Sequence, residues 1–248
     1  MAVPPGLGIT VAAGVNYYRI TSLAFRTSSN KHHPKVVNGD GAVRSRHGAR
    51  YNHPGARSVY LTEDVPSCLA EKMFYFQREV LTALDALHLS HFPVIPPFTQ
   101  KFILWDVVLR NPVTNVFDLS IANAPAAGVF PCLLLNPSQD YFHLKDRRAD
   151  IQSSGYYGLR APSTRVVSTG NMIVLFNDQS KNLKSITPYE VEFRLIKPGH
   201  PPTATFMSHS TDLLDYQAGE IRVIPPASAA LPPALVPFAA WTVVPFNH

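Results

Sequence analysis

Charged residues are scarce in this chain, which narrows what the protein can be. They make up 16% of the 248 residues, well below the usual quarter, while apolar residues reach an ordinary 46%. Such a chain should fold around a core and keep few surface charges, so we expect self-association or a partner. Lys and Arg exceed Asp and Glu by 22 − 17 = 5. This mild excess suits an anionic small ligand and is too weak to indicate DNA binding.

Two further absences bear on the compartment. Cys68 and Cys132 are the only cysteines, too few for a disulfide framework, and we therefore expect a reducing, cytoplasmic environment. The first residues lack the basic segment of a secretory signal. No apolar run approaches the ~18 residues of a membrane span, so we expect no membrane association.

Common catalytic and cofactor motifs are also missing. The sequence contains no GxGxxG opening a βαβ unit, no Walker loop and no GxSxG. The histidines at positions 32, 33, 47 and 53 lack the helical spacing of metal ligands. We therefore expect neither a metal nor a bound cofactor.

The apolar periodicity predicts many strands and two helices. The strands are expected at 16–24, 58–62, 102–109, 115–119, 130–135, 156–160, 172–176 and 189–196. The helices are expected from about Asp64 to Leu87, with a buried stripe of Leu69, Met73, Phe76 and Val80, and at 139–151. Residues 1–14 look irregular, and residues 26–50 look like a long basic loop. From Val223 onward the chain has no Lys, Arg, Asp or Glu and six prolines, which favours an extended segment lying on its own domain or on a partner.

Two arginines could bind a pyrophosphate. Arg19 lies in a predicted strand, and Arg50 ends a loop whose glycines allow the backbone close to a phosphate. Arginine supplies fixed positive charge and forked donors. The alternative for each is a solvated surface position.

Glu71 is the main candidate for catalysis. A dinucleotide such as NAD contains a pyrophosphate. Breaking its bond between nicotinamide and ribose builds positive charge on the sugar, and a carboxylate stabilises that charge. The alternative is an acid that complements the helix dipole. Tyr60 could stack on nicotinamide and Ser163 could bind the ribose, against core packing and turn formation as their ordinary roles.

In their order along the chain, these residues resemble the RES domain family, over about residues 16–197. The family pattern is Tyr-Arg, Gly-Gly-Arg-Trp-Asn, a Val-Tyr-Leu strand, an Ala-x-x-Glu helix and a Gly-x-x-x-Pro-Ser turn. Its counterparts here are Tyr18-Arg19, Gly48-Ala-Arg-Tyr-Asn52, Val59-Tyr-Leu61, Cys68-Leu-Ala-Glu71 and Gly158-Leu-Arg-Ala-Pro-Ser163. Tyr51 replaces the family's tryptophan and Ala49 its second glycine.

The resemblance implies an α+β fold related to ADP-ribosyltransferases, with a split, mostly antiparallel β core and flanking helices. It implies a toxin that degrades NAD as its substrate, by hydrolysis or phosphorolysis. The residues it assigns to catalysis are Arg19, Glu71 and Tyr60. Those it assigns to NAD binding are Arg19, Arg50, Asn52, Tyr60 and Ser163.

Two alternatives remain open: a protein ADP-ribosyltransferase using the same site, and a non-catalytic module that binds nucleic acid through the basic loop. For the enzyme we expect a protein antitoxin or immunity protein as partner, and either retention in the cytoplasm or delivery into a target cell. We expect a catalytic domain over 1–200 and a C-terminal extension over 201–248. That extension is a candidate surface for homo-oligomer formation.

Overall fold

The computed structural model of the chain describes residues 2–25, 49–86, 98–135, 141–164, 170–177, 179, 181–195, 218–227 and 230–245. Within these ranges the fold consists of ten strands, three α-helices and short 3-10 turns. The predicted basic loop lies outside the described residues except for its last two positions.

Among the described residues, the three α-helices all lie between the third and the sixth strand along the chain. In chain order the strands are β1 (Gly8–Val11), β2 (Asn16–Ser22), β3 (Ser58–Thr62), β4 (Phe98–Leu109), β5 (Val113–Asp118), β6 (Gly158–Pro162), β7 (Asn171–Phe176), β8 (Leu183–Leu195), β9 (Ala218–Ile224) and β10 (Thr242–Pro245). The helices are α1 (Val65–Ala86), α2 (Pro131–Leu135) and α3 (Phe142–Ser153).

All ten strands form one sheet in the order β1-β5-β6-β7-β3-β2-β4-β8-β9-β10. Every neighbouring pair is antiparallel except β5 and β6, which run parallel. The expected α+β class with a mostly antiparallel core and flanking helices is therefore confirmed.

The sheet is nearly divided between β2 and β3. These two strands pair at a single position, Tyr18 opposite Thr62, whereas β2 pairs with β4 along its full length. Backbone groups beyond the one paired position are therefore left to other partners. This division places side chains from β2, β3 and α1 close to one another.

Helix α1 begins as the sequence predicts. The Asp64 carboxylate accepts a hydrogen bond from the Ser67 amide at 2.7 Å and another from the Ser67 hydroxyl at 2.8 Å, which satisfies a free donor of the first turn. The predicted stripe is buried against one face of the sheet; it comprises Leu69, Met73, Phe76 and Val80. Because this stripe faces the sheet, it fixes the rotation of α1 about its own axis. That rotation sets the directions in which the other side chains of α1 point.

Two predicted elements are wrong. Residues 8–11, expected to be irregular, form β1 because β5 offers an open edge to which they pair. Residues 130–135, expected to be a strand, contain α2. A short apolar run does not distinguish strand from helix, and Pro131 suits the first position of a helix, where its missing N–H has no intrahelical partner.

The described C-terminal residues join the same sheet. Strand β9 pairs with β8, and β10 pairs with β9 at the sheet edge. Apolar side chains of β9 and of the segment between β9 and β10 enter the core beside α1. They include Ile221, Val223, Leu235 and Phe238. The domain boundary predicted at residue 200 lies outside the described residues. Among the described helices, none is long and apolar enough to cross a membrane.

One buried carboxylate lacks a cationic partner. Asp106 on β4 is 5% exposed, and its Oδ2 accepts a hydrogen bond from the Asn16 amide at 3.2 Å. Its Oδ1 finds no hydrogen-bond partner in the described part of the chain. Burial raises the pKa of Asp106 above its ordinary value, because the charged form is poorly solvated there.

We predict that Asp106→Asn raises the melting temperature at pH 7.5. With a pKa raised by folding, the folded protein binds this proton more readily than the unfolded chain, so the carboxylate destabilises the fold at neutral pH. That cost disappears as the pH falls through the folded pKa, and the difference between variant and wild type should shrink in the same direction. Thermal unfolding at pH 7.5 and pH 4 measures both effects. A variant that melts lower at pH 7.5, or whose gain persists at pH 4, would contradict this account.

Candidate functional site

Arg19 lies where β2 and β3 separate. Its Nη1 donates a hydrogen bond to the Tyr60 carbonyl on β3 at 3.3 Å, beyond the single pair that joins the two strands. The residue is half-buried, and its Nε is a buried atom without a hydrogen-bond partner among the described residues. Burial lowers the pKa of Arg19 to about 10, so the side chain remains a cation at neutral pH.

Tyr60 joins Arg19 to the segment that carries Arg50. The Tyr60 hydroxyl donates to Asn52 Oδ1 at 2.6 Å and accepts from the Tyr51 amide at 3.1 Å. Burial raises the pKa of Tyr60 far above its ordinary value. The side chain is therefore neutral, and the two hydrogen bonds of its hydroxyl group hold the ring in place.

Arg50 is an interior cation held by carbonyl groups. It follows Ala49 in a tight turn closed by reciprocal backbone hydrogen bonds between Ala49 and Asn52. The side chain is 4% exposed. It donates to the Pro162 carbonyl at 3.4 Å and to the Leu134 carbonyl, and so connects α2 with the end of β6.

Aromatic rings complete the surroundings of Arg50. Its guanidinium carbon lies 5.1 Å from the centre of the Tyr51 ring and 5.6 Å from the centre of the Tyr141 ring, a distance at which a ring face attracts a cation. In the described part of the chain, no carboxylate forms an ion pair with Arg50 or Arg19. Their positive charge is therefore not neutralised by the described acids.

Glu71 meets Ser163 across the site. Glu71 lies in the second turn of α1, and Ser163 directly follows β6. The Ser163 hydroxyl donates to Glu71 Oε1 at 2.7 Å, and the Ser163 amide donates to the Gly170 carbonyl at 2.8 Å. Ser163 is 1% exposed, whereas Glu71 is half-buried. Within the described residues, Glu71 has no basic partner and its Oε2 accepts no hydrogen bond.

The structure joins the six residues singled out in the sequence into two groups of contacts. Arg19 contacts Tyr60, which contacts Asn52, and Arg50 contacts the carbonyl that precedes Ser163, which contacts Glu71. They differ in accessibility. The half-buried members are Arg19, Tyr60 and Glu71, and the buried members are Arg50, Asn52 and Ser163. Arg50 and Asn52 therefore support the site from within, and the three half-buried residues are its more accessible members.

Sequence reasoning missed a second buried arginine. Arg148 on α3 is 8% exposed, and its Nη2 donates to the Arg57 carbonyl at 3.2 Å and to Ser58 Oγ at 3.4 Å. Its guanidinium lies 4.6 Å from the centre of the Phe176 ring. Burial lowers the pKa of Arg148. This side chain secures the start of β3, the strand that carries Tyr60.

The arrangement suits an anionic ligand that develops positive charge at one atom. Arg19, Arg50 and Arg148 are cations that attract anions, and the Glu71 carboxylate, fixed by Ser163 through Oε1, keeps Oε2 available among the described residues. Such a carboxylate can accept a hydroxyl hydrogen bond and stabilise a cation. Among the described residues, no group of three or more His, Cys, Asp or Glu side chains could hold a metal ion.

Two comparisons with known proteins gave matches. The family model described as "RES domain" matches residues 18–196, the stretch that contains all six residues. In the crystal structure of the M. tuberculosis MbcT-MbcA toxin-antitoxin complex, one chain aligns at 18% identity with a TM-score of 0.49, over 76% of this chain and 93% of that chain. No curated protein matches significantly.

We predict that Arg50→Met lowers the free energy of unfolding by about 2–4 kcal/mol, because the buried Leu134 and Pro162 carbonyls lose charged donors. Chemical denaturation measures the change. The matched control is Arg147→Met on α3. Arg147 is half-exposed and pairs with Asp150 one turn away at 2.6 Å, a pair worth at most about 1 kcal/mol. If the two substitutions lower the free energy of unfolding equally, the hydrogen bonds of Arg50 to the buried carbonyls do not stabilise the fold.

Proposed function

The chain belongs to the RES domain family, and on that premise we propose that it is an NAD-degrading enzyme. It cleaves the bond between nicotinamide and ribose and acts as a toxin. The observation that carries this proposal is the hydrogen bond from Ser163 to Glu71 at 2.7 Å. That bond fixes the Glu71 carboxylate, and two other candidate residues, Arg19 and Arg50, are cations without an acidic partner in the described part of the chain.

Glu71 has the features that the reaction needs. As nicotinamide leaves, the sugar carbon C1 gains positive charge, and a carboxylate aligned beforehand stabilises that charge without having to reorganise. Ser163 occupies Oε1, so Oε2 is the oxygen available to a ribose hydroxyl. A hydrogen bond between Oε2 and that hydroxyl would orient the sugar while the charge develops.

The arginines supply the positive field for the pyrophosphate. Arg19 is less buried than Arg50, and we assign its guanidinium to direct contact with NAD. Arg50 lies deeper and acts through its charge and through the carbonyls it holds. Asn52 fixes the Tyr60 hydroxyl, and the Tyr60 ring then presents a neutral face to the nicotinamide end of the ligand.

The chemical step uses no protein nucleophile. The C1–N bond breaks and its electron pair neutralises the positively charged nicotinamide ring. The oxygen of water, or of inorganic phosphate, then forms the new bond to C1; the attacking water gives up a proton to the solvent. The protein contributes orientation and charge stabilisation.

An enzyme that removes NAD harms the cell that makes it. We therefore propose a protein antitoxin or immunity protein that covers the site, and we place the activity in the cytoplasm, where its substrate is found. The partner would have to shield the half-buried side chains of Arg19, Tyr60 and Glu71. The charge on this wall favours an acidic segment in that partner.

We predict that the purified protein releases nicotinamide from NAD and that Glu71→Gln slows release by about 100- to 1000-fold, as for the loss of one group that stabilises transition-state charge. Glutamine keeps the shape and the acceptor for Ser163 but removes the charge. Chromatography of the products, with and without inorganic phosphate, measures the rate and identifies the acceptor.

The matched control for this experiment is Glu79→Gln, which removes an exposed carboxylate from the same helix and should leave the rate within about twofold of wild type. Two results would reject the proposed function: absence of nicotinamide release by the wild-type protein, or wild-type rates from Glu71→Gln.

A second prediction concerns Ser163. Replacing it with alanine frees the Glu71 carboxylate from its fixed position, and we expect the catalytic rate to fall roughly 10- to 100-fold, since small misplacements of a reacting group cost that much. The comparison variant is Ser153→Ala, which removes an exposed hydroxyl at the end of α3. Steady-state kinetics of both variants test the role, and an unchanged rate for Ser163→Ala would refute it.

A further inference from the structure

We propose that the ion pair between Glu63 and Arg160 is a positioning pair that holds α1 against β6 so that Glu71 meets Ser163. This inference rests on the proposed function, because it assigns the pair a role in the same reaction. Neither residue touches the proposed reacting atoms. Their effect on the reaction passes through the contact between Glu71 and Ser163.

The pair has the geometry of a fixed connection. Arg160 Nε donates to Glu63 Oε1 at 2.6 Å, and Arg160 Nη2 donates to Glu63 Oε2 at 3.0 Å. Two parallel hydrogen bonds of this kind set orientation as well as distance. Asp118 on β5 lies 3.6 Å from Arg160 Nη1 and holds the guanidinium from a third strand.

Glu63 is also held from β7. Its carboxylate accepts a hydrogen bond from the Asn171 side chain at 2.9 Å, and its amide donates to the Asn171 carbonyl at 3.2 Å. Hydrogen bonds from Arg160 and Asn171 outweigh the opposing effect of burial and lower the pKa of Glu63. The hydrogen bond to Glu63 raises the pKa of Arg160. Both partners are therefore charged at neutral pH.

The pair stands at the base of both elements that carry the site. Glu63 directly precedes Asp64, the cap of α1, and Glu71 follows about two turns later. Arg160 precedes Ser163 by three residues on β6. Among the described residues, two side-chain hydrogen-bonding contacts link the α1 segment to β6 and its following turn: the pair at the base and the bond between Ser163 and Glu71. The ion pair therefore limits the positions of α1 relative to β6 in which Glu71 and Ser163 can form their hydrogen bond.

The surroundings of the pair permit a clean substitution. Glu63 and Arg160 form the polar end of a cavity of about 370 Å³ whose remaining wall is mostly aliphatic, with Tyr17 beside it. Their side chains are 32% and 31% exposed. Water can therefore solvate the remaining partner when the other is truncated, so loss of the pair should shift α1 without unfolding the protein.

The test uses Glu63→Ala in the full-length chain. We expect kcat for nicotinamide release to fall about tenfold, because a displaced carboxylate stabilises the transition state less well, while KM for NAD changes less than about threefold. Glu63→Gln, which keeps one acceptor for Arg160, should fall between Glu63→Ala and wild type. The double variant of Glu63→Ala with Arg160→Gln should be no slower than the slower single variant, as expected for residues that act as a unit.

The matched control is the pair of Arg194 and Glu220, which joins β8 to β9. Arg194 Nε donates to Glu220 at 2.6 Å, and the side chains are 33% and 21% exposed. Glu220→Ala should lower the melting temperature about as much as Glu63→Ala but leave kcat within about twofold of wild type. A kcat for Glu63→Ala within that range, or an equal loss in Glu220→Ala, would overturn the inference.

A crystal structure of Glu63→Ala tests the inference independently of activity. We expect the separation between Glu71 Oε1 and Ser163 Oγ to exceed hydrogen-bonding distance, about 3.5 Å. A bond retained at its original length would contradict the positioning role, even if the protein released no nicotinamide. Failure of the wild-type protein to turn over NAD would instead reject the proposed function.

Discussion

A buried guanidinium that has no carboxylate partner among the described residues is the constraint on which this site depends. Arg50 is 4% exposed and directs its charge at the Leu134 and Pro162 carbonyls and at two tyrosine rings. A buried cation is costly unless fixed dipoles solvate it. Arg50 therefore holds three elements together: its own turn, the short helix α2 and the end of β6. The position of Ser163 depends on these contacts because it directly follows β6.

The sequence nominates the six candidate site residues because each belongs to a motif with its own chemistry. Their contacts were not predictable in the same way. Arg50 was expected to face a phosphate, but it lies in the interior and donates to backbone carbonyls. Those carbonyls belong to residues far along the chain, so no local pattern predicts them. Arg148 had a local signal: it lies on one helix face with Leu144 and Ile151, at spacings of four and three residues. An arginine on an otherwise apolar stripe indicates a buried hydrogen-bonding role.

The fold follows a similar division. Helix α1 was predictable because a capping aspartate and an apolar stripe agree on the same start and face. Strand β1 was not, because its three β-branched residues, Ile9, Thr10 and Val11, are too short a run among glycines and prolines to indicate a strand without the partner that β5 provides. The short helix α2 was mistaken for a strand because six mostly apolar residues suit either structure. Pairing across the sheet, which brings Glu63 to Arg160, depends on strand order that no local pattern encodes.

The central claim is that Glu71, held by Ser163, faces the ribose next to the nicotinamide of NAD. The most direct measurement is a crystal structure of the Glu71→Gln variant with NAD bound. The account predicts the nicotinamide ribose against the side chain at position 71, with C1 within about 3–3.5 Å of it, and the pyrophosphate on the side of Arg19. NAD bound with its nicotinamide ribose away from position 71 would contradict it.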